Sequence, residues 1–287
     1  MATIVNECEW RVTGLSRSGN HAVLQWLMAQ LRGRFVFLNC AEGGRNPYTS
    51  ARPMDDGAIY RTNIPGYDLE AEANQVQVPK QHLIFSHEDS FLGRACSATF
   101  EKHHDAWVGR SRERVDILIL RDPYNLFASR LRNPAGLVPG KSAMRIWKQH
   151  ARQAAEAPRQ LRHNPVVIAY NRWFADETYR RHIAEQLGLA FTDAGRLEVA
   201  ACNGGSSFDG MSYRHHADRM PVLRRWAHYV DDPDYANLMD PSVMKLARKV
   251  FGPSTPLDEA ESAIRASRRE FMETEPACPQ AGHASSM

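Results

Sequence analysis

Apolar positions along the chain follow two rhythms that exchange repeatedly. Short, nearly unbroken β-prone runs occur at Glu9–Gly14, Arg34–Asn39, His82–His87, Val115–Pro123 and Pro165–Tyr170. Between them lie segments with helical spacing. His21–Leu31 places Val23, Leu24, Leu27, Met28 and Leu31 on one stripe, and Tyr124–Leu131, Lys141–Leu161, Phe174–Leu189 and Leu257–Met272 read as further helices. Gly188 supplies a helix stop, and Pro123 suits the first turn of the helix after the fourth run. In that fourth run Ile117, Leu118, Ile119 and Leu120 follow one another without a polar break. This is the pattern of a central parallel strand covered on both faces. Strands alternating with helices predict an α/β fold: one domain over residues 1–272, with a mostly parallel central sheet flanked by helices. The stretch 40–80 is rich in Gly, Pro, Asn and Asp and reads as a long irregular region, which in a compact domain is usually functional. From residue 273 the composition is that of a disordered tail.

Composition narrows the function classes. Thirty-six Lys and Arg against 33 Asp and Glu give a net charge of +3, too weak a basic bias for a protein whose main work is gripping nucleic acid. No apolar run approaches the roughly 20 residues of a membrane span, and the N-terminus lacks the pattern of a secretory signal, so a cytoplasmic location is expected. Cys8, Cys40, Cys96, Cys202 and Cys278 are scattered, an odd count that suggests reduced thiols and offers no Cys-x-x-Cys metal pair. The histidine pairs His103–His104 and His215–His216 lack metal-ligand spacing, and no metal site is expected.

The first chemical clue is Gly14-Leu-Ser-Arg-Ser-Gly19-Asn20-His21, between the first strand and the first helix. Such a loop gathers backbone N–H groups at a helix N-terminus and suits an anion. The glycines have P-loop spacing, giving a P-loop-like phosphate-binding loop. Asn20 and His21 stand where a nucleotide triphosphatase has Lys and Ser/Thr, and the nearby cation is Arg17. A second clue is Arg121-Asp122-Pro123 at the C-terminal end of the fourth strand, where open α/β sheets bind ligands. Ser129 shares a helix stripe with Asp122 and Asn125, so an arginine fork and a hydroxyl sit together at a sheet edge, a combination suited to phosphate.

These residues resemble the sulfotransferase family that uses 3′-phosphoadenosine 5′-phosphosulfate as sulfuryl donor. Arg17-Ser18-Gly19-Asn20-His21 aligns with the family's Lys-Ser-Gly-Thr-Thr loop, and Arg121 with Ser129 eight residues later matches its 3′-phosphate pair. Three weaker matches follow in the family's order. Phe85-Ser86-His87 resembles the segment carrying the catalytic histidine. Tyr170 ends a strand before a helix with the Leu-Gly stop, and Ser207-Phe208-Asp209-Gly210-Met211 resembles the adenine-contacting segment. The likeness spans roughly residues 9–230. It departs at Arg17, which replaces the loop lysine, and at Ala22, which replaces an aromatic residue. It departs again at Arg219-Met220-Pro221 before Trp226, where only part of an Arg-Lys-Gly element is kept. This is the pattern of a divergent, bacterial-type member.

The resemblance implies a cofactor-binding set of Arg17, Ser18, Gly19, Asn20, His21, Arg121, Ser129, Tyr170, Ser207, Phe208 and Arg219. Arg214, Arg224 and Arg225 compete with Arg219 for the 3′-phosphate. It implies 3′-phosphoadenosine 5′-phosphosulfate as co-substrate, adenosine 3′,5′-bisphosphate as product, and no metal, because the migrating group carries one formal negative charge. Arg17 and the N–H groups of residues 18–21 would serve the bridging oxygen. His87, with an imidazole matched to neutral pH, is the expected general base, and Glu88 is its rival. The partner is then an acceptor hydroxyl, with an amine as the second choice, on a small molecule or a glycan or lipid. Two alternatives stay open: a kinase with a degenerate P-loop, and a non-catalytic nucleotide-binding module.

Overall fold

The structure is a computed structural model and describes residues 3–54, 56–134, 136–156, 159–201 and 204–274. Six strands form one sheet: β1 (Ile4–Gly14), β2 (Phe35–Leu38), β3 (Tyr60–Thr62), β4 (Lys80–Glu88), β5 (Arg110–Leu120) and β6 (Val166–Ala169). Their order is β3-β2-β4-β1-β5-β6, with every pairing parallel except β2 with β3. The helices are α1 (Asn20–Met28), α2 (Pro47–Ser50), α3 (Leu69–Ala73), α4 (Leu92–Ala95), α5 (Ala98–Val108), α6 (Pro123–Arg132), α7 (Gly140–Ala155), α8 (Tyr170–Ala175), α9 (Glu177–Gln186), α10 (Pro233–Leu238), α11 (Pro241–Phe251) and α12 (Thr255–Thr274). This is a single α/β domain in three layers, as the alternating pattern predicts.

Strand alternation sorts the core onto the two sheet faces. Trp10 and Val12 of β1, Ile84 of β4, and Ile117 and Ile119 of β5 pack with Val23, Leu24 and Leu27 of α1 and with Trp173 of α8. On the opposite face Leu83 and Phe85 meet Phe100 of α5, while Leu120 joins α6, α7 and α11 in the largest cluster. That second face also buries charge. Arg11 is paired with Asp116 through both Nε (2.8 Å) and Nη2, and reaches Glu101 at 2.9 Å. Glu9 accepts from Arg114, Ser111 and the His104 ring. Buried ions are tolerated only when paired and hydrogen-bonded, and these are.

Several boundaries differ from the sequence reading. Residues 40–80 are not wholly irregular, for they supply α2, β3 and α3. The helix expected over Phe174–Leu189 is two helices. Asp176 takes an extended conformation, ends α8, and caps α9 by accepting from the Tyr179 N–H at 3.1 Å. The helix expected to reach Leu161 stops at Ala155. α12 runs to Thr274, past the expected tail boundary, and the rest of that tail, with Cys202 and Cys278, lies outside the described residues. Cys8, Cys40 and Cys96 are free thiols. Among the described residues no helix is long and apolar enough to cross a membrane.

Candidate functional site

β1, β4 and β5 end side by side, with Gly14 opposite Glu88 on one flank and Ile119 on the other. The chain leaving β1 is therefore between the ends of β4 and β5. It turns through Arg17 (φ 75°) and Gly19 (φ 87°), both left-handed, and enters α1. Gly19 is required twice: by that backbone angle, and because a Cβ there would lie 2.1 Å from the Tyr170 ring. The turn is tied down from two sides. Arg130 of α6 donates to the Ser16 carbonyl (3.0 Å) and forks onto Asp89 (2.8 and 3.1 Å), which accepts from the Ser16 N–H. Arg121 donates to the Arg17 carbonyl at 3.1 Å.

A cavity of about 390 Å³ opens at this edge, lined by Arg17, Gly19, Asn20, His21, Glu88, Arg121, Tyr170, Ser207 and Arg225 among others. Arg121 leaves the end of β5, is 2% exposed, and lies 5.1 Å from the Tyr170 ring centre. Its Nη1 donates to Ser129 Oγ at 3.2 Å. Arg225, 5% exposed, donates to the same oxygen at 3.1 Å and to Asp209 at 3.2 Å. Burial lowers the pKa of both arginines, and Arg225 falls to about 10, with repulsion from Arg121 as the next cause. Two buried guanidiniums converging on one hydroxyl suit an anion, which would offset both the desolvation and the mutual repulsion. Asp122 stays out of the cavity and caps α6, accepting from the Asn125 N–H at 2.9 Å.

The rest of the expected binding set divides. Ser18 Oγ is buried below the loop without a hydrogen-bond partner among the described residues. Arg219 is exposed at the end of a 3₁₀ turn and does not line the cavity, so Arg225 holds the place expected of it. Phe208 does not line the cavity either. Its ring packs 4.9 Å from His228 and 5.1 Å from the Arg225 guanidinium, on which it serves as a support. The sequence reading missed Arg196, Trp173 and Arg52, which all line the cavity. No motif marks them.

His87, the expected general base, does not line the cavity. Neighbouring strand residues point to opposite faces, and His87 shares the face of Phe85, 5.7 Å away, against α5. The ring is 2% exposed, and its Nδ1–H donates to the Ala41 carbonyl at 2.7 Å. Burial pulls its pKa down to about 4. Glu88, one residue on, faces the cavity. Its carboxylate accepts from Ser16 Oγ (2.7 Å) and Asn20 Nδ2 (2.8 Å), and Oε1 lies 3.8 Å from His21 Nε2.

A pH effect on stability follows. His87 and His150 are both fully enclosed with pKa values near 4, against an ordinary 6.5. As pH falls, the unfolded chain takes up these protons first, so stability is lost between about 6.5 and about 4 and regained on raising the pH. Denaturant titrations across this window should show it, and His87→Asn should flatten part of the slope.

No protein-family profile and no curated protein matches the chain. Solved structures similar to the chain include two sulfotransferases. Mouse sulfotransferase SULT7A1, complexed with PAP, is 13% identical over 89% of this chain and 89% of its own, with a TM-score of 0.45. The sulfotransferase domain of the Synechococcus PCC 7002 olefin synthase is 14% identical over 96% of this chain and 98% of its own, with a TM-score of 0.41.

Proposed function

We propose that the chain is a sulfotransferase, moving a sulfuryl group from 3′-phosphoadenosine 5′-phosphosulfate to a hydroxyl acceptor. The observation that carries this is the pair of buried arginines, Arg121 and Arg225, sharing Ser129 beside a left-handed loop at a helix N-terminus. That makes two anion subsites at one sheet edge, as a donor with phosphate groups at both ends of its ribose requires. Arg121, Arg225 and Ser129 take the 3′-phosphate. The N–H groups of the loop and Arg17 take the 5′ end and stabilise charge on the bridging oxygen as the bond to sulfur breaks. The lining of the loop by Ser16, Arg17, Gly19 and Asn20 fits such a group.

The donor supplies an activated sulfur–oxygen bond. The acceptor hydroxyl must lose a proton as it attacks in line, and Glu88, on the cavity wall beside the loop, is the carboxylate we assign to receive it. Ser16 and Asn20 fix the carboxylate in place, and His21 Nε2 lies 3.8 Å from it. The test is transfer of labelled sulfuryl from the donor to a library of hydroxyl acceptors in metal-free buffer. Acceptor-dependent release of adenosine 3′,5′-bisphosphate is expected. Phosphoryl transfer from ATP with magnesium, and none from the sulfuryl donor, would replace this reading with a kinase.

A further inference from the structure

Arg196 follows Gly195 in the loop after α9 and lines the same cavity. It is 7% exposed, yet no carboxylate is hydrogen-bonded to it among the described residues. Its basic neighbour Arg180 holds Asp193 with two bonds of 2.8 Å. Burial, then repulsion from Arg180, lowers the Arg196 pKa. A buried cation left in this condition is costly unless something in the cavity answers it.

Its orientation says what that would be. The guanidinium carbon sits 4.6 Å from the Phe174 ring centre and 5.2 Å from that of Trp173. Nη2 donates to the Phe174 carbonyl, and Nε is fully buried without a partner among the described residues. The Nε–Nη2 edge, which would grip a phosphate in bidentate fashion, is therefore turned into the protein. The plane and the Nη1 end remain, and a guanidinium plane stacks on flat π-systems where an ammonium cannot. Ala22, Val199, Ala200, Ala217 and Met220 line the same cavity with small or apolar surface that a flat base can lie against.

We propose that Arg196, backed by Trp173 and Phe174, is the platform on which the purine base of the donor stacks. This rests on the nucleotide reading above and adds to it the residue that reads the base. Ala22, also in the cavity lining, offers no ring for that purpose.

The test compares two ligands by calorimetry: adenosine 3′,5′-bisphosphate, and ribose 3,5-bisphosphate, which keeps both phosphates and lacks the base. Arg196→Met should weaken the nucleotide about three- to thirtyfold and leave the sugar bisphosphate nearly unchanged. Arg196→Lys keeps the charge and loses the plane, so it should behave like Arg196→Met; it also carries the test if the methionine variant fails to fold. Equal losses on both ligands, or rescue by lysine, would make Arg196 an anion contact and overturn the proposal. So would variants that bind both ligands like the wild type. Wild-type protein that binds neither ligand would remove the nucleotide reading, and this platform with it.

Discussion

Glu88→Gln is expected to lower sulfuryl transfer by about 10²–10⁴-fold while changing the affinity for adenosine 3′,5′-bisphosphate by no more than about threefold. Glutamine keeps the length of the side chain and an oxygen for the Asn20 amide, and the Ser16 hydroxyl can reverse its bond to accept. What is lost is the ability to take a proton. His87→Asn is the matched control. Its amide can replace the bond to the Ala41 carbonyl, and turnover should stay near the wild-type rate. Collapse of activity in His87→Asn with Glu88→Gln unaffected would return the base to the buried ring. Loss of nucleotide affinity in Glu88→Gln would assign Glu88 to holding the loop.

Arg121→Met and Arg225→Met are each expected to weaken adenosine 3′,5′-bisphosphate by roughly ten- to a hundredfold, the value of a charged hydrogen bond of about 1.5–3 kcal/mol. Adenosine 5′-phosphosulfate, which lacks the 3′-phosphate, should lose far less in both variants. Arg219→Ala should change neither, because that side chain is exposed and outside the cavity lining. Arg121 also anchors the Arg17 and Val222 carbonyls, so its variant is to be compared with Arg225→Met at equal folded fraction by urea titration. Equal losses on both ligands would make the two arginines struts of the fold.

The parts of this molecule legible in sequence are those where one local rule decides. The unbroken Ile117–Leu120 run could only be a covered strand, and Pro123 after Asp122 marked the start of α6. The eight-residue interval from Arg121 to Ser129 spans a strand end, a cap and about two helical turns, so its geometry was implicit. The starts of α5 and α11, capped by Ser97 and Asp240, carried readable signals that the sequence reading did not use. Other features depended on contacts distant in sequence. Arg225 was chosen over Arg219 by a fold-back that sets residues 96 apart on one serine hydroxyl. The direction of His87 was set by the register of β4 against β1, which decides that Thr13 faces His87 while Gly14 faces Glu88. A motif search gives the pair His87–Glu88, and strand parity then selects between them. Arg196 lies in an irregular loop, where neither periodicity nor spacing indicates a site.

The most direct test of the central claim is calorimetric titration of adenosine 3′,5′-bisphosphate into the wild-type protein with a chelator present. Two arginine-lined subsites and a loop of backbone N–H groups need no divalent ion to receive it, so saturable binding unaffected by the chelator is expected. Absence of binding, or binding that appears only when magnesium is restored, would contradict the account.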